Sequence, residues 1–431
     1  MRMRPITLLI ITFAVAVMLF FSSVFVFGVI LASSWHSERL AETYYGEYSN
    51  AIAFDSQNVA HVVAASYHLP GSSLAYYKQV NGEWNETELL SVYAYFTDVS
   101  IAVDDRDRLH VCTGYGNSSL TYITNSDGVW REHSFALNQS YLSGRIALDT
   151  SGTPSFLCSE RHPSEDNEST NYKNLTSVVY LRYTGSQWSS TPVPIPFPTQ
   201  FAYVESFSIG SDDSLHALIA VWNNATGYDS SPFEYRLVYA TKNAGGGWYF
   251  SLLRYAASPS GKASLALDES NRPHVSFFDD LVLKYAMRDR GVWNESVVYH
   301  PDNNRWIATS SIALGPDGAP SICFSTNHNI KYFGERRNCV FLASKVKETW
   351  EVQQVTNPYE TDEEGAEVSL ALDSYGVANV CYGYENRIMY ARNIPNPDEA
   401  EDALTRATLL TIPLALALVG AVLVIRSKRI M

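Results

Sequence analysis

Through most of residues 35–393, apolar and polar side chains alternate with a period of two, in short runs punctuated by Gly, Asn, Asp and Pro. That period puts successive side chains on opposite faces and predicts β-strands, with the punctuation as turns. In the most regular runs, such as Ser264-Leu-Ala-Leu, small Ser and Ala alternate with bulky Leu or Ile. One face of such a strand is thin and the other bulky, which suits close packing about an axis. The Asp that follows, with Gly or Asn three residues on as in Asp149-Thr-Ser-Gly, is turn chemistry: the carboxylate caps backbone amides and the Gly or Asn takes a positive φ. Two stretches break the alternation. Residues 5–32 and 407–425 are almost continuously apolar, each long enough to span a bilayer as a helix.

The alternating runs also repeat. A phrase of Ser-Ile-Ala-Leu-Asp, a turn, often Pro-His-Val, then Leu-x-Tyr-Ala and Gly-x-Trp starts at Ser100, Arg145, Ser264, Ser311 and Ser369, with looser copies at Ala51 and Ser206. Seven copies of a unit of four short strands, A to D in chain order, describe a blade array. Trp84, Trp130, Trp188, Trp248, Trp293 and Trp350 close six copies; the seventh lacks its Trp strand, and Trp35-His-Ser-Glu, upstream of the first copy, supplies one. A sheet assembled from both chain ends joins the first and last units and closes the ring. The expected fold is all-β, a seven-bladed β-propeller over 35–393 whose last blade is closed by an N-terminal strand, with a transmembrane helix at each end.

Composition agrees with a folded β chain: 46% of residues are hydrophobic, 18% are charged, and Tyr alone numbers 28. A net charge of −14 argues against nucleic acid, whose backbone requires concentrated Lys and Arg. The five cysteines show no CxxC or Cys/His spacing of zinc type. Cys112, Cys158, Cys323 and Cys381 fall in predicted strands as small buried hydrophobes. Cys323 and Cys339 flank one hairpin, which leaves a disulfide between them open.

Both apolar ends carry basic flanks, Arg2 and Arg4 before the first, and Arg426, Lys428 and Arg429 after the second. The positive-inside rule keeps both flanks in the cytoplasm and everything between them outside. The organisation expected is a signal peptide or membrane anchor (1–34), the propeller (35–393), an acidic linker (394–403), a transmembrane helix (404–426) and a basic tail (427–431). Sequons at Asn85, Asn117, Asn138, Asn167, Asn174, Asn224 and Asn294 fit an exported, glycosylated surface. The bilayer is the first expected partner; a glycan or envelope protein is the second.

A residue that recurs at one register in several blades does the same job in each, and that job is structural. His61, His110, His216 and His274 all open strand B and are spread around the ring, so they do not meet at one metal. Asp55, Asp104, Asp149, Asp268 and Asp373 read as turn caps, and the tryptophans as blade packing. Function belongs where the repeat breaks. The B–C connections 160–176, 223–234 and 327–338 are lengthened, and D–A connections of the same rim add aromatic and acidic residues. The candidate ligand-binding set is Arg145, Tyr95, Glu160, Arg161, Trp222, Asp279, Asp280, Trp306 and Glu363. Arg145 replaces the Ser of most copies and aims a guanidinium at the axis, either to clamp a carboxylate or to pair with a neighbouring acid such as Glu205. No metal or cofactor is implied, with Ca²⁺ at an acidic loop left open.

The repeated phrase resembles that of sialidase-like (BNR-type) secreted propellers of prokaryotic surfaces, over roughly residues 35–393. The resemblance implies the fold. It carries over no catalytic residue, because no copy has Trp at the Asp-box position and only Arg145 matches an axis-facing arginine of the sialidase triad. The expected role is therefore a tethered, non-enzymatic surface protein binding a ligand or partner through one rim, with a glycan-active hydrolase or lyase and a surface-layer subunit as alternatives.

Overall fold

The computed structural model describes residues 34–43, 49–68, 71–80, 82–116, 119–135, 140–161, 176–183, 185, 187–197, 201–224, 233–243, 245–256, 261–279, 281–301, 305–329, 336–356, 367–384 and 386–394. Glu38–Ala391 form one compact unit; the other comprises Met1–Ser37 and Arg392–Met431. The expected membrane segments lie outside the described residues, and among the described residues no helix is long and apolar enough to cross a membrane.

The described strands form seven four-stranded sheets, each antiparallel in the order A-B-C-D. Blades 1 to 6 occupy 50–92, 96–134, 140–192, 201–256, 264–299 and 305–354. Blade 7 takes strands A to C from 368–394 and its outer strand from Ser34–Glu42, which is the offset that the missing tryptophan predicts. The seven A strands are Asn50–Phe54, Phe96–Val103, Ser140–Leu148, Phe201–Ile209, Ser264–Leu267, Arg305–Leu314 and Val368–Leu372.

The core lies between the sheets. Between blades 3 and 4, for example, Leu157 and Val178 pack with Ala202, Val204, Phe207 and Ile219. The Trp of strand D leans on the strand-C Tyr of the preceding blade: Trp130 on Tyr76 at 5.0 Å, Trp188 on Tyr122 at 6.2 Å, Trp293 on Tyr239 at 5.2 Å, Trp350 on Tyr285 at 5.3 Å. Trp84 of blade 1 meets Tyr390 of blade 7 in the same way at 4.7 Å, so this contact also spans the closure. Each such edge-on aromatic pair adds about 0.5–1.5 kcal/mol beyond its buried area.

Those tyrosines are fixed from the other side by the strand-B histidines. Nδ1 of His61, His110, His216 and His274 lies 2.6–2.7 Å from the hydroxyl of Tyr76, Tyr122, Tyr239 and Tyr285 respectively. All four rings are buried, and burial lowers their pKa, that of His216 to about 4. They are neutral structural posts, as their spread around the ring predicts.

The turn aspartates behave as caps. Asp55, Asp104, Asp149, Asp268 and Asp373 each accept hydrogen bonds through Oδ1 from the backbone amides two and four residues on. The positive-φ residue of the turn reaches further. Asp107, Asp213, Asn271 and Asn58 accept the backbone N–H of Ser56, Thr150, Ser211 and Ser374, each in the preceding blade. The last of these joins blade 1 to blade 7.

The hairpin disulfide that the sequence left open is not formed. None of the five cysteines is joined in a disulfide. Cys323 stands opposite Leu342 and Cys339 opposite Thr326, so the register keeps the two sulfurs out of each other's reach.

Candidate functional site

A cavity of about 190 Å³ opens where all seven A strands converge. Its lower wall is the repeated serine. Ser100, Ser206, Ser264 and Ser311 each accept, through Oγ, the backbone N–H of the residue after the equivalent position in a nearby A strand: Ile146, Leu265, Ile312 and Leu370, at 3.1–3.3 Å. Ser369 instead donates to Oδ1 of Asn50 at 2.6 Å, sealing blade 7 to blade 1.

Blade 3 has Arg145 in this column. Its guanidinium lies in the cavity, paired with the carboxylate of Asp98 from blade 2, while Nε donates to the backbone carbonyl of Glu205 in blade 4 at 3.1 Å. The arginine thus ties three blades together. The acid that pairs with it is Asp98, and Glu205 contributes its main chain, so the expected partner is corrected. Neutralisation by one buried carboxylate explains why an arginine is tolerated on the axis.

Two further charges complete the ring. Lys262 of blade 5 pairs with Glu367 of blade 7 across the opening, and the amide nitrogen of Asn50 donates to the Glu367 carbonyl at 3.2 Å. Burial pushes the Asp98 carboxyl up against the pull of Arg145. Burial would lower Lys262, but Glu367 and Asp98 outweigh it and hold the ammonium. Glu205 is pushed up to about 7 by burial, with Lys262, Arg145 and the Ala263 amide pulling the other way. The mouth therefore holds two matched ion pairs and one carboxyl that changes charge near neutral pH. A pocket of this kind accepts and donates hydrogen bonds, and Glu205 is able to exchange a proton with a bound group.

The remaining candidates scatter. Tyr95 is 54% exposed and stacks on Tyr67 with ring centroids 4.9 Å apart. Trp222 stacks on Tyr203 at 4.8 Å, beside Phe201 and Tyr235, at the rim end of blade 4. Glu160 is buried and accepts the Ser177 hydroxyl at 3.3 Å, while Asp279 is held by Arg254 and Lys284. The side chains of Arg161, Trp306 and Asn224 lie outside the described residues, as do Asp280, Glu363, Asn117, Asn138, Asn167 and Asn174. Asn85 and Asn294 are exposed on D strands. Strand pairing of Ser140 with Arg161, Phe201 with Trp222 and Arg305 with His328 brings the starts of A strands and the ends of B strands to one rim.

Asp98 and Lys262 escape sequence reading because both stand two residues before the repeated serine. Aligning the copies two residues further upstream gives Ser49, Asp98, Ser143, Val204, Lys262, Thr309 and Glu367, a column in which charge appears in three blades of seven.

No family model and no curated protein matches the sequence. Solved structures do. The polysaccharide lyase Uly1 is similar over 82% of this chain and 92% of its own, at 10% identity and TM-score 0.50. An ulvan lyase bound to a saccharide of glucuronate and sulfated rhamnose is similar over 85% and 99%, at 10% identity and TM-score 0.50. An intramolecular trans-sialidase from Ruminococcus gnavus covers 86% and 99%, at 13% identity and TM-score 0.42. At the level of fold, this chain resembles the sialidase-like propellers. Identities this low show the fold alone and leave the site of this chain to be argued from its own residues.

Proposed function

We propose that the chain is a membrane-tethered extracytoplasmic propeller that binds a polar, hydroxyl-rich ligand, a glycan, at the mouth of its axis. The observation that carries this reading is the convergence of Asp98, Arg145, Glu205, Lys262 and Glu367, none of them a residue common to the repeat, on one cavity fed by seven strands. Stacked aromatics at the same rim, Tyr95 on Tyr67 and Trp222 on Tyr203, supply apolar faces on which sugar rings rest. The apolar stretches 5–32 and 407–425 with their basic flanks support the tether and its orientation. The test is a glycan-array screen of the full-length protein in detergent, wild type against Arg145→Ala. Retained glycans whose binding falls at least about tenfold in the variant, one lost charged contact, support the reading; an array with no retained glycan sinks it.

A second reading, a glycan-cleaving enzyme, is favoured by the Glu205 carboxyl, whose proton is exchangeable at neutral pH in the same pocket as Asp98. General acid or base work needs such a group. Product analysis of glycans retained on the array separates the two: released sugar means turnover.

A further inference from the structure

Four of the described A strands carry a β-bulge against strand B. In blades 2, 3 and 6 the extra residue is Thr97, Leu142 or Ala308, three positions before the serine column. In blade 4 it is Glu205, one position before Ser206. A bulge leaves its extra residue out of the ladder and re-aims it. Sliding the bulge two residues along the strand therefore sets Glu205 in the wall of the axial cavity instead of leaving it at the strand entrance.

The two cations there are already matched, Arg145 with Asp98 and Lys262 with Glu367. Among the described residues Glu205 enters no ion pair; the backbone N–H of Ala263 holds it. Three carboxyls against two cations leave the ionised pocket one charge short of balance. A carboxylated or sulfated sugar would meet that surplus as repulsion, whereas a compact cation would complete it.

From this geometry we infer that the axial mouth takes a sugar bearing a primary ammonium group, and that Glu205 is the carboxylate that receives it. The inference rests on the glycan reading above and names the class of sugar. Its proton chemistry follows from the surroundings. The charged groups facing Glu205 are Asp98 from blade 2, Arg145 from blade 3, Lys262 from blade 5 and Glu367 from blade 7, with the buried hydroxyl of Tyr235 behind it on blade 4. Blades 1 and 6 present Asn50 and Thr309, which do not titrate. With Glu205 turning over near 7, acidification removes the surplus charge while a primary alkylammonium keeps its own, so affinity falls as pH falls.

Ligand-observed NMR titration of the full-length protein tests this with three methyl glucosides that differ only at the terminal carbon, as ammonium, hydroxyl or carboxylate. The ammonium sugar is expected to bind tightest at about pH 7.5 and to weaken roughly 25-fold at about pH 5.5, the ratio of ionised Glu205 at the two values. Glu205→Gln is expected to bind ammonium and hydroxyl sugars alike, with no pH dependence. Equal binding of ammonium and hydroxyl sugars by the wild type overturns the inference and leaves the glycan reading standing. The same holds if the ammonium preference survives Glu205→Gln. Binding of none of the three overturns both. Should the variant fail to fold, the pH series on the wild type decides alone.

Discussion

The seven inner strands end in one way and begin in another. At their turn end the chain repeats itself: an Asp caps its own turn, and in four places an Asn or Asp reaches back to cap the blade before. At their mouth end the copies disagree, and side chains of opposite charge from different blades meet across the axis. Each contact at the regular end is made between neighbours and copied round the ring, so it specifies a blade. Each charged contact at the irregular end is made once, so it specifies this molecule. The difference separates what holds the fold from what the fold holds.

The comparison breaks first at its strongest scaffold post. Tyr239 is 2% exposed, packs on Trp293 and bonds His216; Tyr239→Ala is expected to cost about 3–5 kcal/mol in urea denaturation. Within the mouth, Arg145→Ala leaves Asp98 buried without its partner and is expected to cost about 3 kcal/mol. Replacing both Arg145 and Asp98 by Leu should cost less than either single change; a double variant as damaged as the sum would show that the pair is not coupled.

A third probe uses pH. A buried His with a lowered pKa contributes stability that is present above its unfolded value of about 6.5 and lost as pH falls toward its folded value, about 4 for His216. That single post accounts for up to about 3 kcal/mol of acid destabilisation. Glu205 runs the other way: its raised pKa makes ionisation unfavourable to the fold, so it adds stability as pH falls through about 7. Thermal melts from about pH 8 to 4 should show a net loss, flattened by His216→Gln and steepened by Glu205→Gln.

The smaller effects lie in single seals. Ser264→Ala removes the acceptor for Ile312 N–H and should cost about 1 kcal/mol. Asn58→Gly keeps the positive φ of the turn but releases Ser374, at an exposed site, for about 0.5 kcal/mol. If Asn58→Gly proves as costly as Arg145→Ala, the turn end is not the distributed scaffold described here.

The sequence made the scaffold readable because its signals are local. Alternation, turn aspartates and the tryptophan count all sit within one unit, and the missing seventh tryptophan led to the strand at Ser34–Glu42. Arg145 was readable too, as a break in a column of serines. Asp98 and Lys262 were not, since they precede the phrase that defines the copies. Glu205 was readable as a neighbour of Arg145, but its place in the cavity wall was not: a bulge is a property of pairing between two strands, and nothing in Val-Glu-Ser announces that the middle residue leaves the ladder. The pairing of Cys323 and Cys339 stayed open in the sequence for the same reason, because only register decides which residues of a hairpin face each other.

The blade shared between the two ends carries a consequence for how the protein is made. Its outer strand, Ser34–Glu42, is translated first, and the neighbour it needs, Arg387–Ile394, emerges after the six other blades have been synthesised. Until then a nascent chain carries an unmatched strand at one end and an uncovered flank of blade 1 beside it, both open to pairing with the wrong chain. Completion of the ring is thus a single late event spanning nearly the whole sequence, and a ribosome that stalls before residue 387 leaves behind a set of blades that no later folding can close.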